Sequence, residues 1–142
     1  MIHGSVVHDP TGAYDDLPLD RTLHEELVRT VLAWMPQDRT TLRQADIDQA
    51  ALQLTGYLRL LVREVHTELA ALPQDPEILA RAGAERTRTT LAETVRRLGA
   101  APVRAHRGLG QAQSRARLVQ ALHTALDRTR AAAAVPMPVP GP

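Results

Sequence analysis

Residues 44–73 read QADIDQAALQLTGYLRLLVREVHTELAALP, and this stretch decides the fold class. Ile47, Ala51, Leu54, Leu58, Leu61, Val65, Leu69 and Leu72 recur at spacings of four and three. An α-helix turns once in about 3.6 residues, so these side chains form one apolar stripe sustained over roughly eight turns. Thr41 and Gln44 stand at the spacing of a capping box, and Pro73 ends the pattern. The spacing predicts a helix about 45 Å long at about 1.5 Å per residue.

Three more helices are expected around it. The first spans Asp20 to Met35. Thr22 and Glu25 fit a capping box, Pro36 stops it, and Leu23, Leu27, Val31 and Trp34 share a face. Another opens at Asp75-Pro76-Glu77, where Asp75 caps, Pro76 suits the first helical position and Glu77 suits the positive dipole end. Its inward face is read as Ala80, Ala84, Thr87, Leu91, Val95 and Leu98, with Gly99 as its stop. The last runs from Ala105 to Ala133, with Gly108 and Gly110 weakening its start, so that Gln111 is an alternative beginning. Ala112, Ala116, Val119, Leu122 and Leu126 form its stripe. Period-two alternation is absent from the sequence. The expected architecture is all-α: an antiparallel four-helix bundle over residues 19–134. An irregular, disordered leader is expected at 1–18 and a flexible Pro-rich tail at 135–142.

Composition narrows the function. The chain has 142 residues, no Cys and no Phe. That excludes disulfides and thiolate chemistry, and Leu and Ala carry the core. An apolar run of about 18 residues is lacking, and Met1–Pro10 does not read as a secretory signal, so a cytoplasmic protein is expected. All 17 basic residues are Arg. Residues 1–78 hold 6 Arg against 13 acidic residues, and residues 79–142 hold 11 Arg against 3. A net charge of +1 thus hides halves of −7 and +8. The halves can neutralise each other within the bundle, where they help select helix pairing, or they can meet a partner.

Catalytic and metal signatures are lacking. The six His residues form neither HExxH nor a Glu-x-x-His pair, and His123 with Asp127 reads as a surface i,i+4 pair. Ser5 and Ser114 lie in no nucleophile elbow. No catalytic, cofactor-binding or metal-ligating residue is assigned. For nucleic acid the candidates are Arg81, Arg88, Arg96, Arg104 and Arg107, which could meet phosphates, although no aromatic residue accompanies them for base stacking. The better-supported surface is Leu52, Gly56 and Leu60, spaced i,i+4,i+8 roughly opposite the long stripe. That face either receives a protein partner or second copy, or is covered by the first helix, the leader or the tail. Arg115 projects toward an apolar stripe and either pairs with an acidic residue or reaches to the edge. A small apolar ligand between the Ala-rich helices is a third expectation.

Gly56-Tyr57-Leu58-Arg59-Leu60-Leu61-Val62-Arg63-Glu64-Val65 resembles the central segment of a family of small actinobacterial helical proteins known as natural-product-biosynthesis proteins. The likeness continues through Leu69–Pro73 and Ala80–Glu85 and, more faintly, through Arg115–Leu122. Tyr57 and Arg63 depart from the family pattern, which has His and Pro there. The Arg-only, Ala-rich composition fits GC-rich actinobacterial codon usage. The resemblance implies a link to specialised metabolism and carries no catalytic residue. The expected function is therefore a non-catalytic interaction or accessory protein, with a nucleic-acid-binding regulator as the alternative.

Overall fold

All eight residues of the 47–72 stripe are buried, and Leu54, Leu58, Leu61 and Val65 are wholly so. The computed structural model describes residues 20–35, 42–99 and 108–134, and contains helices and no strand among them. The helices are α1 (Arg21–Ala33), α2 (Gln44–Ala70), α3 (Pro76–Ala82), α4 (Ala84–Gly99) and α5 (Gly108–Ala134). The most extensive contact joins α2 to α5. Across it the leucines of α2 meet small residues of α5, of which Ala112, Ala116 and Val119 are wholly buried. Large side chains opposite small ones let the two backbones approach closely. Each fully buried Leu contributes about 1.5–3 kcal/mol.

Paired residues rise together along this seam. Gly108 lies beside Gln44 and Ile47, Tyr57 bonds His123, and Glu64 and Glu68 bond Arg130. The α2–α5 pair is therefore parallel. Partners on α1 run the other way, with Arg21 on Asp127 and Gln113 on Val31. The same holds for α3–α4, where Arg128 meets Ala82 and Thr87, and Arg97 meets Ser114.

The 75–99 segment is two helices, not one. Gly83 sits in the left-handed region at φ 63° and ends α3, its N–H bonding the Ala80 carbonyl at 3.0 Å. Arg128 of α5 stitches the break: its Nε donates to the Ala82 carbonyl at 2.9 Å and its Nη2 to Thr87 Oγ1 at 3.0 Å. The start of α3 follows expectation, with Asp75 accepting from the Glu77 and Ile78 amides. Past the break the inward set is Ala84, Thr87, Leu91 and Thr94, while Val95 and Ala80 are exposed. Thr94 is buried without penalty because its hydroxyl donates to the Thr90 carbonyl at 2.8 Å.

The other ends also differ from expectation. Asp20, not a Thr22–Glu25 box, caps α1 through the Leu23 amide, and the helix stops at Ala33. Its buried residues are Val28 and Val31, with Leu23 exposed and Trp34 half-buried against the core. Gln113 of α5 donates to the Val31 and Trp34 carbonyls at 3.2 and 2.7 Å and so closes the C-terminal end of α1. Gln44 donates to Asp48 at 2.8 Å, and Thr41, the other half of the expected box, lies outside the described residues. The α5 helix begins at Gly108, ahead of Gln111, because a hydrogen side chain lets it dock on α2. A Cβ there would meet Gln44 Nε2 at 2.6 Å and Ile47 Cγ2 at 2.8 Å. The expected leader and tail, and residues 105–107, lie outside the described residues.

Gly83→Ala is expected to destabilise the fold by about 1–3 kcal/mol. The new Cβ would suffer the left-handed backbone penalty and lie 2.7 Å from Arg128 Nε. Chemical denaturation checks this; a loss below about 0.5 kcal/mol, the range of a neutral surface change, would contradict the assigned role of Gly83.

Candidate functional site

Each site the sequence proposes can be placed on this frame. Leu52 is the most exposed large apolar residue among the described residues, at 67%. Gly56 is four residues further along α2, and a Cβ built on it would find nothing within 4 Å. Leu60 follows, half-buried. The Leu52–Gly56 face is therefore uncovered among the described residues.

The basic candidates do not converge. Arg81 bonds Glu77 at 3.0 Å on its own helix, and Arg96 grips both oxygens of Glu93 at 2.5 and 2.6 Å. Arg97 also reaches Glu93, at 2.6 Å. These two guanidinium groups hold the exposed Glu93 carboxyl at about 2, well below the usual carboxylate range. Arg88 is exposed, and Arg104 and Arg107 lie outside the described residues. Two arginines of α5 are turned to structural work, Arg128 at the α3 break and Arg130 on Glu64 and Glu68. Only the latter follows the acidic-to-basic pairing that the charge split suggests. Arg21 of the acidic half instead grips Asp127 of the basic half, at 2.6 and 2.7 Å. Exposed pairs of this kind are worth about 0–1 kcal/mol each.

A polar knot joins three helices. His24 of α1 stacks on Tyr57 of α2, ring centroids 3.8 Å apart and planes within 4°. The Tyr57 hydroxyl lies 2.6 Å from Nε2 of His123 on α5. His24 Nδ1 donates to the Asp20 carbonyl at 2.7 Å, which fixes the ring against the start of α1. His123 forms part of the wall of an open cleft of about 620 Å³ between α1 and α5, with Arg21, Glu25, Arg29, Gln120 and Thr124. Burial pushes the Tyr57 hydroxyl up to about 12. Burial, then the Arg21 charge, hold His123 below its ordinary value. Both groups are therefore neutral at pH 7, and the imidazole tautomer sets which of them donates in the Tyr57–His123 bond. A neutral, buried tyrosine is a poor acid and a poor nucleophile. Its chemistry here is to dock α1 onto the α2–α5 pair.

Arg115 is the third feature. Only 8% of it is exposed, and its Nε is buried without a hydrogen-bond partner. The acidic partner that the sequence allows for it is lacking among the described residues. Burial lowers its pKa, and the charges of Arg59 and Arg97 push it the same way. A buried polar group left unpaired costs about 1–3 kcal/mol, and more when charged. Groups of three or more His, Asp or Glu able to hold a metal ion are absent among the described residues. No helix among them is long and apolar enough to cross a membrane.

The knot was not legible along the chain, because His24, Tyr57 and His123 are separated by dozens of residues. Tyr57 at the flank of the α2 stripe was the one available signal. Comparison with protein-family models, curated proteins and solved structures finds no match.

Two outcomes follow from the knot. Tyr57→Phe is expected to cost about 1–3 kcal/mol in denaturant, since it leaves the His123 nitrogen unpaired; an unchanged midpoint would remove the bond from the account. Because the folded-state pKa of His123 lies below 6.5, the unfolded chain takes up its proton first. This residue's contribution is complete above about pH 6.5 and is lost as pH falls through the folded value. NMR titration of His123 should give a midpoint under 6.5, and a midpoint at or above it contradicts the assignment.

Proposed function

We propose that this chain is a non-catalytic interaction module whose outer α2 face, Leu52, Gly56 and Leu60, pairs with a second copy. The observation that carries the reading is the bare Leu52–Gly56 surface on one of the two best-packed helices. Its pattern is self-complementary. With a two-fold axis at Gly56 and antiparallel α2 helices, Leu52 meets Leu60 of the partner subunit and the two glycines lie at the axis. Glycine at the crossing lets the helices approach closely.

In this reading α3 and α4 count as one broken arm of a four-helix bundle, and antiparallel packing describes α1 and α4 against the central pair. The reading extends to a cytoplasmic accessory role in actinobacterial specialised metabolism, supported by the resemblance of residues 56–65 and the cysteine-free composition. The nucleic-acid alternative is the weaker one, since Arg81 and Arg96 are engaged by carboxylates of their own helices.

Sedimentation equilibrium of the full chain tests the pairing. A concentration-dependent dimer is expected, weakened at least tenfold by Leu52→Glu, which corresponds to about 1.4 kcal/mol. Gly56→Leu should raise monomer stability, because glycine costs about 0.8–1 kcal/mol in a helix interior, while also weakening the dimer. A wild-type chain that stays monomeric at about 100 μM, some hundredfold above a micromolar Kd, would falsify the homotypic reading.

A further inference from the structure

We infer that Arg115, with Arg59 and Arg97, forms a binding site for the phosphate group of a small phosphorylated molecule at the junction of α2, α4 and α5. Three helices each supply one guanidinium. Arg115 comes from the inner side of α5, nine-tenths buried, with its Nε unpartnered. Arg97 comes from the last turn of α4 and is oriented by two bonds, Nε to Glu93 at 2.6 Å and Nη1 to Ser114 Oγ at 2.8 Å. Ser114 adjoins Arg115 in the chain, so this bond ties the end of α4 to α5 at the level of Arg115, within reach of the Arg97 charge. Arg59 comes from the exposed flank of α2 and forms no ion pair with a described residue.

The charge balance is one-sided. Arg96 and Arg97 share one carboxylate, Glu93, whereas Arg59 and Arg115 have no ion pair with a described carboxylate. The charges of Arg59 and Arg97 both act on Arg115. Like charges repel, and a guanidinium does not shed its proton near neutrality. Other buried polar groups of this protein find partners: Thr87, Thr94, His123 and Thr129 are all hydrogen-bonded. Arg115 is the buried side chain that does not. A tetrahedral oxyanion supplies what is lacking, because it accepts several N–H bonds at once and neutralises more than one cation. Phosphate suits the site better than a carboxylate, since it offers oxygens in three directions to donors arriving from three helices. The source is either inorganic phosphate or the phosphoryl end of a larger metabolite.

The test uses the full-length protein and its Arg115→Met variant. Methionine fills similar apolar space without charge, so the variant is expected to melt no lower than wild type in chloride buffer. Inorganic phosphate at matched ionic strength should raise the wild-type Tm by about 5 °C once it exceeds its Kd a hundredfold. The variant should lose at least four-fifths of that rise, which separates site binding from general salt stabilisation. Calorimetric titration with a nucleoside monophosphate distinguishes the sources. Tighter binding than phosphate assigns a larger phosphorylated ligand, and equal or weaker binding assigns the free ion; either supports the site. Equal phosphate responses in wild type and variant overturn the proposal. So does a destabilised variant alongside a wild type that ignores phosphate, because Arg115 would then be structural. Arg115-dependent retention on duplex DNA without response to small phosphates overturns it in favour of a nucleic-acid surface.

Discussion

The seam between α2 and α5 is the constraint on which the rest depends. Wholly buried leucines at 54, 58 and 61 share this seam with wholly buried small residues at 112 and 116, and the partners along it, from Ile47 beside Gly108 to Glu64 beside Arg130, show the pair to be parallel. Gly108 marks where the two helices come nearest, since no Cβ fits between it and Ile47. Side chains of α5 do much of the attaching of the outer helices. Gln113 closes the C-terminal end of α1, Asp127 holds Arg21 on its flank, and Arg128 spans the break between α3 and α4, while Tyr57 of α2, bonded to His123, stacks on His24 of α1. Polar groups thus position the outer helices, while apolar burial holds the central pair. The division is physically sensible, because directional bonds fix orientation and non-directional burial supplies most of the free energy.

This arrangement gives the arginines different occupations. Arg128 is a cap, Arg130 and Arg21 are clasps between helices, and Arg96 and Arg97 share one carboxylate. A charge tally treats them alike. In three dimensions their roles separate, and only Arg115 lacks a counterpart while being buried. Part of the positive charge of the second half is neutralised locally, while Arg86, Arg88 and Arg117 stay exposed.

Two features make the outer face of α2 functionally suggestive. Leu52 is exposed on a helix that is otherwise well packed, and Gly56 weakens that helix with no crowding from the described residues to require it. Gly83 and Gly108 have such reasons, one in its backbone angle and one in close packing. Gly56 has neither among the described residues. The His24–Tyr57–His123 knot, by contrast, is explained within the fold: it docks the short α1, whose own apolar face is small.

The sequence by itself determined the helical class, the α2 spine and the start of α3 at Asp75-Pro76. These features are written in neighbouring residues, because helical periodicity and capping act over three or four positions. Tertiary structure decided the rest. Gly83 breaks a segment that reads as continuous, since Arg128, forty-five positions away, stabilises the freed carbonyl of Ala82. Val95 and Thr94 exchange their expected places because α4 is oriented by its neighbours and the Thr94 hydroxyl satisfies itself on its own helix. The stacking of His24 on Tyr57, the parallel seam and the unpartnered Arg115 all join residues far apart in the chain. A periodic pattern records which face of a helix turns inward; it carries no record of which helix, or which charge, will be waiting there.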